Sequence, residues 1–272
     1  MAGGVVHYAG IALRRLGLDT AIITKAASDD AGEVLRMLRD AGVRTYCRES
    51  PATTVFENIY SGGDLAVRSQ AVRSIAAAFE PRDLGPVRAK VVHLGPLTRE
   101  EMPTEFIEAV SKRAECVSLD VQGFVRRVER QQVRLADWPD KKQGLAGVDV
   151  LKASLPEAQI LSGEDDPERA ARTLADLGPG EVIVTLGAKG SLILAAGRCW
   201  RIPAFAPRAV VDPTGCGDTY CAGYIFHRLR SDDIAAAGRF AAALATLKLE
   251  RRGPYAGDAK DVGALLRGAE AV

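Results

Sequence analysis

The stretch Asp-Pro-Thr-Gly-Cys-Gly-Asp, residues 212–218, decides how this chain is interpreted, because it leads directly into a run with helical spacing. Gly215 and Gly217 have no Cβ, so the backbone there can adopt strained angles and approach a ligand closely. A helix that begins near Gly215 leaves its first N–H groups without partners and turns its positive dipole end outward. Such a helix end is a binding site for anions, and phosphate is the usual ligand.

Asp218 falls in the first turn of this predicted helix. Its carboxylate could accept a proton from an alcohol, while nearby backbone N–H groups neutralise the charge on a transferred phosphoryl group. The alternative is an ordinary loop-to-helix turn, in which Asp218 only stabilises the N-terminal end of the helix. Short glycine-containing strings do not by themselves distinguish the two interpretations.

The composition is typical of a globular protein with one large α/β domain. Of the 272 residues, 47% are hydrophobic, and 36 basic and 35 acidic side chains leave a net charge of +1, which indicates no nucleic-acid footprint. The sequence has no apolar run of about 18 residues that could span a membrane, and its N-terminus lacks a secretory pattern. Five scattered cysteines, an odd number, favour reduced thiols and a cytoplasmic location.

Helix-like and strand-like segments alternate, which favours a mostly parallel sheet covered by helices. Apolar periodicity predicts helices at 5–16, 30–41, 104–114, 168–177, 218–230 and 232–249. Short β-prone runs predict strands at 20–24, 43–47, 90–94, 116–119, 148–152, 181–186 and 192–195. Two further β-prone runs, at 53–60 and 65–69, flank a Gly-rich turn and predict a hairpin. The charged residues 127–146 are predicted to form an irregular connection with a short helix.

The whole string at 212–218 closely resembles the Asp-Thr-Thr-Gly-Ala-Gly-Asp motif of the PfkB, or ribokinase-like, family of carbohydrate kinases. Proline at 213 and cysteine at 216 are the departures, and neither removes an N–H group that the anion site needs. The resemblance extends from Gly3 to about Pro254. It implies a three-layer α/β/α ribokinase-like sandwich over residues 1–272, with a mostly parallel central sheet and a small β-hairpin lid at about 51–70.

The resemblance implies transfer of a phosphoryl group from ATP, with Mg²⁺, to a hydroxyl of a small sugar, cyclitol or nucleoside. Asp218 would be the base, and the N–H groups of Gly215, Cys216 and Gly217 would form the anion hole. Asp212, at the start of the motif, is a candidate ligand for K⁺. The implied partners are therefore small molecules, with neither nucleic acid nor membrane, and a homodimer through the lid is the candidate assembly.

On the donor side, the resemblance places Thr185, Gly187, Gly190 and Ser154 at the nucleotide, and gives Glu157 to Mg²⁺, partly through water. Ser154 stands where the family has asparagine. From the residues alone, Ser154 to Glu157 is a helix-capping pattern, and both roles can hold at once. The glycine-rich run after Thr185 is, from the residues alone, a turn between two strands.

On the acceptor side, the resemblance gives the substrate Gly3 and Gly4, Asp120 and Arg126, and Asn58 in the lid. Asp120 and Arg126 follow a predicted parallel strand, and open α/β sheets bind ligands beyond the carboxyl ends of their strands. Without the family, Arg126 is simply surface charge and the lid is an ordinary surface hairpin.

The chain departs from the family ahead of Gly3, where members carry a further sheet strand and an aspartate that binds substrate hydroxyls. We expect either a start further upstream or a protein that lacks this strand. The alternative function is therefore a catalytically impaired kinase-like protein that binds or senses a ligand. A central sheet with an empty position for that strand would favour either the alternative function or a chain whose start lies further upstream.

Overall fold

The computed structural model describes residues 3–60, 68–86 and 88–268, with only the backbone described at 58–60 and 68–69. The helices are α1 (Gly4–Arg15), α2 (Ser28–Asp40), α3 (Thr104–Ser111), α4 (Lys141–Leu145), α5 (Leu155–Ser162), α6 (Pro167–Ala175), α7 (Cys216–Arg228), α8 (Ile234–Leu249) and α9 (Ala259–Gly268). The strands are β1 (Ala21–Ala26), β2 (Arg44–Glu49), β3 (Val55–Tyr60), β4 (Arg68–Ser74), β5 (Ala89–Leu94), β6 (Ala114–Asp120), β7 (Arg126–Glu129), β8 (Gln132–Leu135), β9 (Val150–Ser154), β10 (Glu181–Thr185), β11 (Ser191–Ala195) and β12 (Arg198–Ile202).

Six strands form the central sheet in the order β12-β11-β10-β9-β6-β5. Strands β5, β6, β9 and β10 run parallel to one another, and β11 and β12 add an antiparallel edge. The predicted α/β class with a mostly parallel sheet is thus confirmed. Strands β1 and β2 form a separate parallel ladder, and within the described ranges neither pairs with the six-stranded sheet.

Helices cover both faces of the central sheet, as alternate residues of β10 illustrate. Val182 and Val184 belong to a buried cluster that includes Phe106 of α3 and Leu161 of α5. Ile183, between them, belongs to a second cluster with residues of α1, α7 and α8. Strands that are covered on both faces are apolar at consecutive positions, which explains the continuous hydrophobic runs in the sequence.

A second, four-stranded sheet has the order β3-β4-β8-β7. Strands β3 and β4 pair antiparallel, as the predicted hairpin requires, although the turn between them lies outside the described residues. Of the irregular connection with a short helix that was predicted at 127–146, the helix is confirmed as α4, but the irregular connection was wrong, because β7 and β8 pair antiparallel there. Their charged, exposed side chains hid the strand pattern. The predicted two-stranded lid is therefore part of a larger sheet, in which Ala71 of β4 pairs with Gln132 of β8.

The carboxyl ends of the parallel strands lie side by side at one edge of the central sheet. In register, Leu94 pairs with Leu119, Asp120 pairs with Lys152, and Ser154 pairs with Thr185. This is the edge at which open α/β sheets bind their ligands.

Strand β12 and helix α9 were not predicted. No helix in the described ranges is both long enough and apolar enough to cross a membrane.

Candidate active site

Helix α7 begins where the glycine motif predicts it. Gly215 is the N-cap residue, at φ +78°, and Asp218 lies in the first turn with 9% of its surface exposed. A Cβ on Gly215 would lie 2.2 Å from the ring of Tyr8, which is buried on α1. Both the backbone angle and the lack of space therefore require glycine at this position.

The structure distinguishes the N–H groups that were predicted to form the anion hole. The N–H of Cys216 donates to the carbonyl of Pro213 at 3.2 Å, so it already has an acceptor inside the loop. Gly215 and Gly217 lie on either side of Cys216 at the start of the helix, where the first N–H groups have no acceptor within the helix itself. The anion hole stays a prediction, and Gly215 and Gly217 are its stronger members.

Lys152 is a functional candidate that no sequence motif indicated, since it was predicted only as the last residue of a strand. Its ammonium nitrogen lies 2.9 Å from Oδ2 of Asp120. A Cβ on Gly217 would lie 3.0 Å from the same nitrogen, so the charge sits against the first turn of α7. Burial would lower the pKa of Lys152, but the negative charges of Asp120 and Glu157 outweigh it and raise the pKa. The sequence feature that could have identified Lys152 is a single charged residue within the otherwise apolar run of β9.

Asp120 is fully buried beneath this lysine. Its Oδ2 accepts from Lys152, and its Oδ1 accepts from the N–H of Gln122 at 3.1 Å. The structure therefore assigns Asp120 the positioning of Lys152. A direct contact between Asp120 and a substrate stays a prediction.

Arg126 and Gly4 come together through Leu97, which lies in the loop after β5. Nη1 of Arg126 donates to the carbonyl of Leu97 at 3.4 Å, and the guanidinium lies 5.5 Å from the ring centre of Phe56. The side chain of Leu97 lies 3.5 Å from the position of a Cβ on Gly4, whose φ is +78°. A residue of the glycine pair and the predicted arginine thus reach the same loop from different elements.

Gly3 and Asn58 are the other two residues that were predicted to bind the acceptor. Gly3 is the N-cap of α1, is exposed, and a Cβ added there would meet no atom within 4 Å. Asn58 lies on β3, where its backbone pairs with Gln70, and its side chain lies outside the described part of the structure. Their roles in substrate binding stay predictions.

Ser154 and Glu157 form a capping box at the start of α5, as the residue pattern predicts. The backbone N–H of Ser154 donates to Oε2 of Glu157 at 2.7 Å, and the Ser154 side chain accepts from the third residue of the helix. In the described ranges, no group of three or more His, Cys, Asp or Glu residues could hold a metal. Mg²⁺ usually keeps several waters and binds through one or two carboxylates and substrate phosphates. The assignment of Glu157 to Mg²⁺ stays a prediction.

The predicted nucleotide-binding turn joins β10 to β11. Thr185, the last residue of β10, donates from Oγ1 to the carbonyl of Ala153 at 3.4 Å. Gly187 has φ +63° and faces open space, whereas a Cβ on Gly190 would lie 2.0 Å from the carbonyl oxygen of Ile202. Gly190 is therefore needed for packing, and Gly187 is the exposed member of the pair.

Asp212 anchors the loop that precedes α7. Its Oδ1 accepts from the N–H of Thr214 at 2.9 Å, and its Oδ2 lies 3.4 Å from the ammonium of Lys248. Burial would raise the pKa of Asp212, but the hydrogen bonds from Thr214 and the charge of Lys248 lower it overall. The carboxylate that was predicted to bind K⁺ thus already has a cationic partner.

These features match a known family along almost the whole chain. The model of the pfkB family of carbohydrate kinases matches residues 3–261. The chain belongs to this family. Its members phosphorylate alcohol groups, and the chain is accordingly a carbohydrate kinase with the ribokinase fold.

Individual relatives agree with this assignment. The chain is 25% identical to the ribokinase of Haemophilus influenzae over 92% of its own length and 82% of that enzyme. A pyrophosphate-dependent kinase in the ribokinase family, solved as a sulfate complex, is 31% identical, with a TM-score of 0.87 over 97% of this chain and 91% of that chain. A pyrophosphate-dependent kinase of this family, complexed with a pyrophosphate analog and myo-inositol, is 29% identical, with a TM-score of 0.86 over 96% and 91% of the two chains.

Proposed function

We propose that this kinase transfers the terminal phosphoryl group of a bound donor to a hydroxyl of a small cyclitol, sugar or nucleoside, with Asp218 as the base. The observation that carries the proposal is the first turn of α7. There a nearly buried carboxylate, a glycine N-cap at φ +78° and the charge of Lys152 meet beyond the carboxyl ends of the parallel strands.

The reaction follows from the charges at this turn. The acceptor hydroxyl gives its proton to Asp218 as its oxygen bonds to the terminal phosphorus, and the bond from that phosphorus to the bridging oxygen of the donor breaks. Negative charge on the transferred group faces the N–H groups of Gly215 and Gly217 and the ammonium of Lys152. Mg²⁺, when bound with Glu157 nearby, supplies further neutralisation of the phosphates. Positioning and charge stabilisation account for most of the rate in such reactions.

We place cyclitols first among the acceptors. The structural relative at 29% identity was solved with myo-inositol. The lid string Thr-Thr-Val-Phe-Glu-Asn-Ile-Tyr and the segment after β6 also resemble inositol- or sugar-type members more than adenosine kinases. A cyclitol presents several hydroxyl oxygens, which can accept hydrogen bonds from a guanidinium such as that of Arg126.

For the donor, the family resemblance supports ATP, with Thr185, Gly187 and Ser154 on the nucleotide side. Pyrophosphate is a second candidate, because two relatives with TM-scores of 0.87 and 0.86 are pyrophosphate-dependent. Both donors present a terminal phosphoryl group to the same helix end. They differ in the product that remains, which is ADP from ATP and phosphate from pyrophosphate.

The test is phosphorylation of a panel of inositols, hexoses, pentoses and nucleosides with Mg²⁺ and either ATP or pyrophosphate, followed by mass spectrometry of the acceptor. We expect one acceptor class to gain a phosphate with one donor. Asp218→Asn should lower kcat by a factor of about 100 to 10,000 with little change in donor affinity. Asp165→Asn, which changes an exposed aspartate, is the control and should behave like the wild type. Equal losses of kcat and donor affinity in Asp218→Asn would contradict its role as the base.

The second candidate function is a kinase-like protein that binds a ligand without turnover. The separate ladder of β1 and β2, outside the six-stranded sheet, is the observation that favours it. Donor binding without any phosphorylated product across the panel would support this alternative, whereas turnover that Asp218→Asn abolishes would exclude it.

A further inference from the structure

We propose that the ammonium of Lys248 is a built-in monovalent cation for the loop before α7, so that this kinase needs no K⁺. The inference rests on the proposed function in that this loop forms the proposed anion site. Lys248 lies on α8, is 1% exposed and is among the largest fully buried side chains.

Three oxygen atoms and one aromatic ring lie close to this ammonium, and oxygen atoms are also the ligands of a bound alkali cation. Its nitrogen donates to the carbonyl of Asp212 at 2.7 Å and to the carbonyl of Arg251 at 3.5 Å. The carboxylate of Asp212 lies 3.4 Å away, and the nitrogen is 5.5 Å from the ring centre of Tyr8. An ammonium has three N–H donors, and here three oxygens and one aromatic face share them. A K⁺ ion at the same oxygens would have to displace the lysine.

The same oxygens control the shape of the loop. The two carboxylate oxygens of Asp212 also accept from the N–H of Thr214 at 2.9 Å and from the N–H of Gly253 at 3.4 Å. Tyr8, beneath the ammonium, is the ring against which Gly215 packs. Lys248 therefore touches both the start of the loop and the side chain that supports its glycine.

Charge gives a second reason for a cation at this place. Asp212 brings a carboxylate close to a helix end that has to attract phosphates, and like charges in a partly buried site repel strongly. A fixed positive charge offsets the negative charge of that carboxylate, so that the N–H groups of α7 can attract the donor. Because the cation is part of the chain, its occupancy does not depend on the salt in the medium.

Lys248 thus positions the loop and neutralises the carboxylate of Asp212, and it does not touch the substrate. If Lys248 only filled space in the core, any side chain of similar size could replace it without loss of turnover. If Lys248 acts through its charge, a free cation can take over its role, provided that the substituted side chain is small enough to leave space for the ion.

The experiment compares Lys248→Ala, which leaves space, with Lys248→Met, which fills the space without charge. Thermal unfolding and kcat are measured in KCl and in tetramethylammonium chloride at equal ionic strength. We expect the wild type to be insensitive to K⁺ in both measurements. Lys248→Ala should lose turnover by about 100-fold, as a misplaced catalytic loop does, and K⁺ should restore part of the loss and raise the unfolding temperature. Lys248→Met should lose turnover without a response to K⁺.

Lys142→Ala, which removes an exposed lysine on α4, should match the wild type throughout. A wild-type protein that needs K⁺ for turnover, or whose unfolding temperature rises only with K⁺, would overturn the proposal. So would a folded Lys248→Ala variant with normal kcat and no response to K⁺. If neither Lys248 variant folds, the two wild-type measurements decide. If the wild type phosphorylates nothing, the proposed function fails, while the unfolding temperatures still test the cation.

Discussion

Around the first turn of α7 the charged side chains are buried, whereas the ion pairs on the four-stranded sheet are exposed to water. The Lys152–Asp120 pair has side-chain exposures of 8% and 0%. In the four-stranded sheet, the Arg73–Glu57 pair has exposures of 60% and 46%, and the Arg127–Glu129 pair has exposures of 64% and 44%. Breaking a buried ion pair is strongly destabilising, but exposed pairs contribute little.

The difference separates the two tasks of the proposed reaction. Every phosphoryl donor presents the same terminal group, so the residues that face it can be held in one arrangement. Acceptors differ in shape, and the elements that face them can vary as long as the central sheet stays intact. Lys152, Gly215 and Arg126 each have an exposed counterpart, at which the same kind of substitution should have a smaller effect.

The largest effect is expected for Lys152→Met. Asp120 would be left charged and buried, which costs about 3 to 5 kcal/mol of unfolding free energy, and turnover should fall with the loss of charge at α7. The double variant Lys152→Met with Asp120→Asn should regain much of the stability and none of the turnover. Arg73→Met, which breaks an exposed pair, should change stability by less than about 1 kcal/mol. Denaturant unfolding and kcat measurements check all three, and a double variant that recovers turnover would contradict a catalytic role for Lys152.

Gly215→Ala should come next. A side chain there needs an unfavourable left-handed backbone and collides with Tyr8, which together cost about 3 kcal/mol. Gly197→Ala is the matched control, since Gly197 has φ +73° but no atom within 4 Å of an added Cβ. It should cost about 1 to 2 kcal/mol, for the backbone alone. Equal unfolding free energies for the two variants would show that the contact with Tyr8 is unimportant.

A smaller effect is expected from pH, through two histidines. Burial lowers the pKa of His7 and of His93 to about 4. Between the ordinary pKa of about 6.5 and this value, the unfolded chain binds more protons than the folded chain, so stability falls as the pH falls. From about pH 7 to about pH 5, each histidine should cost about 2 kcal/mol, with no contribution above the ordinary pKa. Unfolding free energies of His7→Gln and His93→Gln should each show a shallower pH dependence, and an unchanged slope would contradict the assignment.

The smallest effect on stability is expected for Arg126→Ala. The contact with Phe56 contributes about 0.5 to 2 kcal/mol, and loss of the guanidinium should raise KM for the acceptor more than KM for the donor. Arg127→Ala, at the neighbouring exposed position, should leave both KM values unchanged. An Arg126→Ala variant with equal changes in both KM values would place the arginine outside the acceptor site.

The features that could be predicted from the sequence are local ones. The turn at residues 212–218 depends on glycines, a proline and an acid within a few positions, and the structure begins α7 there. The capping box of Ser154 and Glu157 was predictable for the same reason, because its partners are three residues apart. Strands β7 and β8 were missed because their residues are mostly polar and exposed, so the apolar pattern that marks a strand is weak.

The amino-acid sequence by itself determined the α/β class, the glycine turn and the position of Asp218, since each depends on residues that are close along the chain. Only the tertiary structure decided which charges surround that turn. Lys152 meets Asp120 from 32 residues away, and Lys248 meets Asp212 from 36 residues away. Neither pair leaves a periodic signal in the sequence, because a buried charge finds its partner through the packing of separate elements. The position of the turn and of Asp218 was therefore predictable, and the charges around them were not.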